Sequence, residues 1–108
     1  MRRIAAALLA VVLALPAARA DEPTPVERGR KSYTSYCARC HGLGLVTTGA
    51  GFDLRTFPAH DKERFERSVN KGLRAMPAWE GIVKPGEVDA IWAYVGSVNG
   101  WAPPAPAK

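Results

Sequence analysis

Five consecutive residues, Cys37-Ala38-Arg39-Cys40-His41, put two thiols three positions apart and an imidazole directly after the second. Near a helix end this spacing lets both sulfurs reach the two vinyl groups of one porphyrin. The thioethers then fix the ring, and the adjacent imidazole lies beneath its iron; C-x-x-C-H is the signature of covalent haem attachment. Cys37 and Cys40 are therefore expected as thioether anchors and His41 as the proximal iron ligand. The other chemistries open to these residues require more than the chain offers. A reversible thiol pair of the thioredoxin kind would need strands before the motif and a larger sheet. Zinc would need four ligands, and Cys37, Cys40, His41 and His60 have no recognised spacing around one tetrahedral ion.

The setting of the motif favours the porphyrin. Residues 1–20 open with Arg2 and Arg3, continue through an apolar run from Ile4 to Leu15, and end on Ala18-Arg19-Ala20. That is the layout of a secretory signal peptide with its cut before Asp21. The run is about a dozen residues, short of the roughly 18 that a membrane span needs, so no stable membrane insertion is expected after cleavage. The whole chain of 108 residues carries a formal charge of +5, but three of its basic residues lie in the leader, and without it the charge is +2. A concentrated basic face for nucleic acid is thus not expected. The remainder holds sixteen Leu, Ile, Val and Phe residues. Such a lean chain buries little surface against its ordering entropy and calls for a staple or a cofactor in its centre.

The elements that must position the motif read as helices. Thr24-Pro25-Val26-Glu27 predicts a helix start, with Thr24 as N-cap, Pro25 first in the helix and Glu27 closing a capping box. This helix is expected to run through Tyr33 and Tyr36 into Cys37. Residues 42–51, with four glycines and two threonines, read as loop. A second helix is expected over 61–71, where Phe65 and Val69 share a face and Gly72 supplies the stop. Lys84-Pro85-Gly86-Glu87 opens a third, with Val88, Ile91, Trp92 and Val95 as its buried stripe. No stretch alternates with period two, so the fold is expected to be all-α. The expected organisation is a leader over 1–20, one domain over 21–100, and a flexible Pro/Ala-rich tail over 101–108.

With these helices in place the chain resembles the class I cytochromes c over nearly its whole length after the leader. Gly29 and Tyr33 stand eight and four residues before Cys37, where that family places the glycine and aromatic of its first helix, and Tyr94 matches the aromatic of its last. The resemblance implies three main helices around one covalently attached haem c, with the first and last helices crossing closely at the glycine. It also implies a distal iron ligand after the second helix. Met1 leaves with the leader, and Met76, in Arg74-Ala75-Met76-Pro77, matches the family's ligand; His60 is its rival. Leu54, in Gly51-Phe52-Asp53-Leu54, is expected to pack on the ring. Phe52 departs from the family's proline, though its carbonyl remains available to the proximal histidine. Arg55 is expected at a haem propionate or in solvent, Trp79 over the ring beside Met76, and Trp92 in the core.

His/Met ligation leaves iron no open position and raises its potential. The resemblance therefore implies a periplasmic one-electron carrier cycling Fe(II)/Fe(III), not an enzyme. Asp53-Leu54-Arg55-Thr56-Phe57-Pro58, together with Ala75-Met76-Pro77 and Trp79, is also similar to small cytochromes that accept electrons from quinoprotein alcohol dehydrogenases. That likeness implies a respiratory chain with a pyrroloquinoline-quinone enzyme as donor and a cytochrome oxidase or second cytochrome as acceptor. The alternative is a haem enzyme or gas-binding protein in which Met76 is a labile ligand.

Overall fold

The computed structural model describes residues 7, 9–13 and 22–102. Most of the expected signal peptide, its cut before Asp21, and the tail beyond residue 102 lie outside the described residues. Among the described residues four α-helices occur in order: α1, Pro25–Tyr36; α2, Ala38–His41; α3, Lys62–Lys71; and α4, Pro85–Asn99. Two single turns of 3₁₀ helix, Leu43–Leu45 and Leu54–Thr56, lie between α2 and α3. Among the described residues the extended pairing is confined to isolated bridges, so the fold is all-α, with three long helices and the short α2.

The helix ends are set as the side chains dictate. Thr24 Oγ1 accepts from the Glu27 N–H at 3.2 Å while Glu27 Oε2 accepts from the Thr24 N–H at 2.9 Å, a complete capping box with Pro25 in the first turn. Asp61 caps α3 by accepting from the Arg64 N–H. Gly100, in the left-handed region at φ 69°, ends α4. The α1 helix breaks at Cys37, whose φ of −106° turns the chain before α2 resumes the helical course.

Helices α1 and α4 cross at Gly29. A Cβ on Gly29 would run into the Ala90 carbonyl and stand 3.0 Å from the Ile91 nitrogen. Only glycine lets the two backbones approach this closely. One turn along α1, the buried Tyr33 ring lies 5.2 Å from Tyr94 in a tilted pair, and Ser32 Oγ donates to Glu87 across the crossing. The expected stripe on α4 turns inward, with Val88, Ile91 and Val95 buried and Trp92 partly so.

Two features differ from the sequence reading. Leu45, within the stretch expected as plain loop, is fully buried, and it reaches the core by adopting a left-handed φ of 68°. That conformation is costly for a branched apolar residue and is held because burial of its side chain offsets the strain. Trp101, expected at the start of a loose tail, is instead docked. Its ring packs 4.6 Å from Trp92, and its N–H donates to the Gly96 carbonyl at 2.9 Å. Trp92 in turn sits between Phe57, Phe65 and Trp101, a cluster that closes the lower end of α3 and α4.

The crossing yields a direct prediction. Gly29→Val should overpack the contact, a cost of about 1–3 kcal/mol, and lower the thermal midpoint by about 5–20 °C. Circular dichroism melts of the two proteins check it; an unchanged midpoint would contradict a close crossing.

Candidate functional site

Cys37 ends α1, and Cys40 and His41 occupy the single turn of α2, which hydrogen bonds build directly onto the end of α1: His41 N–H to Cys37 O at 2.9 Å and Gly42 N–H to Ala38 O at 2.8 Å. Both cysteines are free thiols, Cys37 half-buried and Cys40 exposed. Burial pushes the Cys37 thiol up to about 11. A thiol-exchange site needs the opposite, a thiolate stabilised near neutrality.

His41 is oriented from outside its own helix. Its Nδ1 lies 2.8 Å from the Phe52 carbonyl, so Nδ1–H donates there and Nε2 is left with a lone pair that could bind a metal. Proline is absent at this position, yet the carbonyl is delivered because the loop before it is tied back onto Cys40. The Gly51 N–H and the Thr48 hydroxyl both donate to the Cys40 carbonyl, at 3.1 and 3.0 Å, and Thr47 Oγ1 donates to the Gly51 carbonyl at 2.7 Å. A Cβ on Gly51 would stand 3.0 Å from both the Cys40 carbonyl and His41 Nδ1. The missing side chain makes room for the imidazole. The sequence marks Gly51 only as the start of the Gly51-Phe52-Asp53-Leu54 stretch and the threonines only as loop; residue type and periodicity carry no signal for a loop folded onto its own motif.

The second arm of the site is the turn after α3. Leu73 and Met76 exchange both backbone hydrogen bonds, Leu73 N–H to Met76 O at 3.1 Å and Met76 N–H to Leu73 O at 3.0 Å, which fixes Met76 at the mouth of a tight hairpin. Gly72 makes that turn possible. Its φ is 77°, and a Cβ there would press on the Met76 carbonyl at 2.8 Å and the Ala78 nitrogen at 2.9 Å. Beyond Met76 the chain is strapped to α3: the Trp79 N–H donates to Val69 O at 2.9 Å, the Glu80 N–H donates to Asn70 O at 3.3 Å, and Lys71 Nζ pairs with Glu80 at 2.8 Å. Trp79 joins the two arms, its ring 5.5 Å from Tyr36 beside the cysteine motif.

The other expected site residues divide. Leu54 is buried, and its carbonyl accepts from Asn99 Nδ2 at 3.0 Å, which ties this turn to the end of α4. Arg55 is engaged by its neighbour: Nε and Nη2 each donate to an Asp53 carboxylate oxygen at 3.0 Å. These bonds hold the Asp53 carboxyl below the usual range, and the Arg55 side chain makes this fork at the exposed surface. The pair is invisible to helical spacing because it spans two residues in a turn. His60 is exposed ahead of α3.

The donor set suits a porphyrin better than a bare ion. Among the described residues no three His, Cys, Asp or Glu side chains gather to hold a metal, whereas two free thiols, an imidazole oriented through Nδ1 and a thioether on a second arm meet what a covalent haem requires.

Comparison with known proteins agrees. Residues 24–95 match the family model described as cytochrome c oxidase, cbb3-type, subunit III. The chain is 34% identical over 76 residues to the quinohemoprotein alcohol dehydrogenase ADH IIB of Pseudomonas putida, covering 68% of this chain and 11% of that protein. It therefore spans about a tenth of that relative's length. It is 33% identical over 94 residues to cytochrome c6 of Nostoc sp., covering 82% of this chain and 81% of that one. To cytochrome c550 of Pseudomonas aeruginosa it is 36% identical over 81 residues, covering 68% and 56%. Because the family model covers most of the folded body and the cytochrome c6 match runs through most of both proteins, this chain belongs to the class I c-type cytochromes, which carry covalently attached haem c.

Proposed function

We propose that this cytochrome is a one-electron carrier and not an enzyme, with Cys37 and Cys40 as thioether anchors, His41 as proximal ligand and Met76 as distal ligand. The observation that carries the reading is the bond from His41 Nδ1–H to the Phe52 carbonyl at 2.8 Å. It fixes the tautomer and the ring plane, so Nε2 is presented to iron as a lone pair. Bound haem supplies the Fe(II)/Fe(III) couple. The protein's part is to hold both axial donors on separate, braced arms. With both positions filled by side chains, no site is left for oxygen or substrate. A thioether at Met76 favours the reduced iron and raises the potential. The buried Leu54 packs on the ring and keeps water from it, and Trp79 stands over the Met76 arm.

The reading extends to place and partners. No helix among the described residues is long and apolar enough to cross a membrane, and the leader over 1–20 directs the chain to the periplasm with its cut before Asp21. The donor is a pyrroloquinoline-quinone alcohol dehydrogenase, and the acceptor a cytochrome oxidase or a second cytochrome in a respiratory chain. What supports the donor is the likeness to part of two quinohemoprotein alcohol dehydrogenases of Pseudomonas putida, at 34% and 32% identity. A stretch similar to this chain there belongs to the dehydrogenase itself; here the same pairing would join two proteins.

Two predictions follow from the ligand assignment. Carbon monoxide binds ferrous haem only when the distal position opens. A Met76 ligand that is dissociated 1% of the time or less makes binding to the parent protein roughly 100-fold slower than to Met76→Ala. Stopped-flow absorbance checks the ratio, and equal rates would favour a gas-binding protein with a labile Met76. For the proximal side, Phe52→Ala keeps the carbonyl and should leave the low-spin spectrum unchanged. Gly51→Val forces a side chain against His41 and Cys40 and should lower the thermal midpoint of the haem protein by about 5–20 °C. Equal effects of the two substitutions would contradict the carbonyl's role.

A further inference from the structure

Tyr33 is fully buried, and its hydroxyl donates to the Gly42 carbonyl at 2.6 Å. Gly42 is the residue directly after His41. Its backbone, at φ 86° and ψ 153°, is open only to glycine, and a Cβ there would run into the Val46 carbonyl. The same Gly42 carbonyl accepts from the Leu45 N–H at 3.2 Å, so two donors converge on one oxygen at the point where the chain leaves the motif. Burial raises the Tyr33 phenol well above its ordinary range; it therefore stays protonated, and remains a donor, at any pH the protein meets. On its other side the Tyr33 ring is held by Tyr94 of α4 at 5.2 Å.

We propose that Tyr33 is a positioning residue for the proximal ligand: through Gly42 it transmits the α1–α4 crossing to the orientation of His41. His41 is then fixed at both ends. The Phe52 carbonyl holds its ring at Nδ1, and the Tyr33 hydroxyl holds the backbone that follows it. A phenylalanine would fill the same space between the helices but would leave the buried carbonyl without its shorter hydrogen bond. The choice of tyrosine over phenylalanine is thus explained by the haem side of the helix and not by the crossing itself.

The proposal rests on His41 as an iron ligand, and one experiment separates the two. Hyperfine-shifted proton resonances of the ferric haem protein are recorded for the parent, Tyr33→Phe and Tyr94→Phe. Their positions depend on the plane of the axial imidazole. If the parent shows no shifted imidazole resonances, the ligand assignment itself fails. If it does, Tyr33→Phe is expected to displace the haem-methyl resonances and to shift the reduction potential, while Tyr94→Phe, which removes the hydroxyl from the partner ring, leaves both in place. A Tyr33→Phe protein that melts earlier with unmoved haem-methyl resonances would overturn the proposal, as would equal displacements in the two variants. Should Tyr33→Phe not mature, the parent decides: the Tyr33 hydroxyl proton must appear as a slowly exchanging resonance, and its absence overturns the assignment.

Discussion

The contact of Gly29 with the Ala90 carbonyl is the constraint on which the remaining structure depends. With sixteen Leu, Ile, Val and Phe residues after the leader, the protein cannot assemble a conventional core around any one helix. Close approach of α1 and α4 concentrates what it has, placing Tyr33, Ile91, Tyr94 and Val95 in one buried group. From the crossing helices two side-chain bonds reach outward to the segment between α2 and α3: Tyr33 of α1 to the Gly42 carbonyl and Asn99 of α4 to the Leu54 carbonyl. The crossing thus serves as the base from which the cofactor loops are hung. Porphyrin, bound covalently, supplies the apolar centre that the sequence lacks.

The two arms of the site are braced by different means. The proximal arm is a continuation of α1, broken at Cys37, with its loop folded back onto the Cys40 carbonyl by Thr48 and Gly51. The distal arm is a hairpin fastened to α3 by two backbone bonds and by the Lys71–Glu80 pair. That ion pair is exposed and contributes little by itself; the backbone bonds to Val69 and Asn70 carry the fastening. A carrier must change charge without rearranging. Under the proposed ligation by His41 and Met76, donors from separately fastened arms would resist the movement that a change in iron charge provokes.

Much of this was legible in the sequence, and what was not has physical reasons. The capping box of α1 and the α4 stripe are local or periodic signals, the pairing of Gly29 and Tyr33 with the last helix was implied by the family resemblance, and the structure reproduces both. The burial of Leu45 was hidden because its access to the core depends on a positive φ that no periodicity records. The fork from Arg55 to Asp53 was hidden because the two residues stand only two apart at a 3₁₀ turn, a spacing that helical reasoning ignores. Trp101 follows a helix stop, and its docking depends on Gly96 leaving room for the ring, 3.0 Å from where a Cβ would lie. Phe52 is the instructive case: the departure from proline changes the side chain but not the carbonyl, because threonine bonds deliver the backbone.

The most direct test of the axial pair is near-infrared magnetic circular dichroism of the ferric protein at neutral pH. The charge-transfer band there depends on the chemical type of both axial ligands. Histidine with methionine sulfur, in a wholly low-spin sample, is the predicted result. A bis-histidine band, which would bring His60 to the iron, would contradict ligation by Met76, and a high-spin signal from an open position would contradict both that ligation and the carrier function.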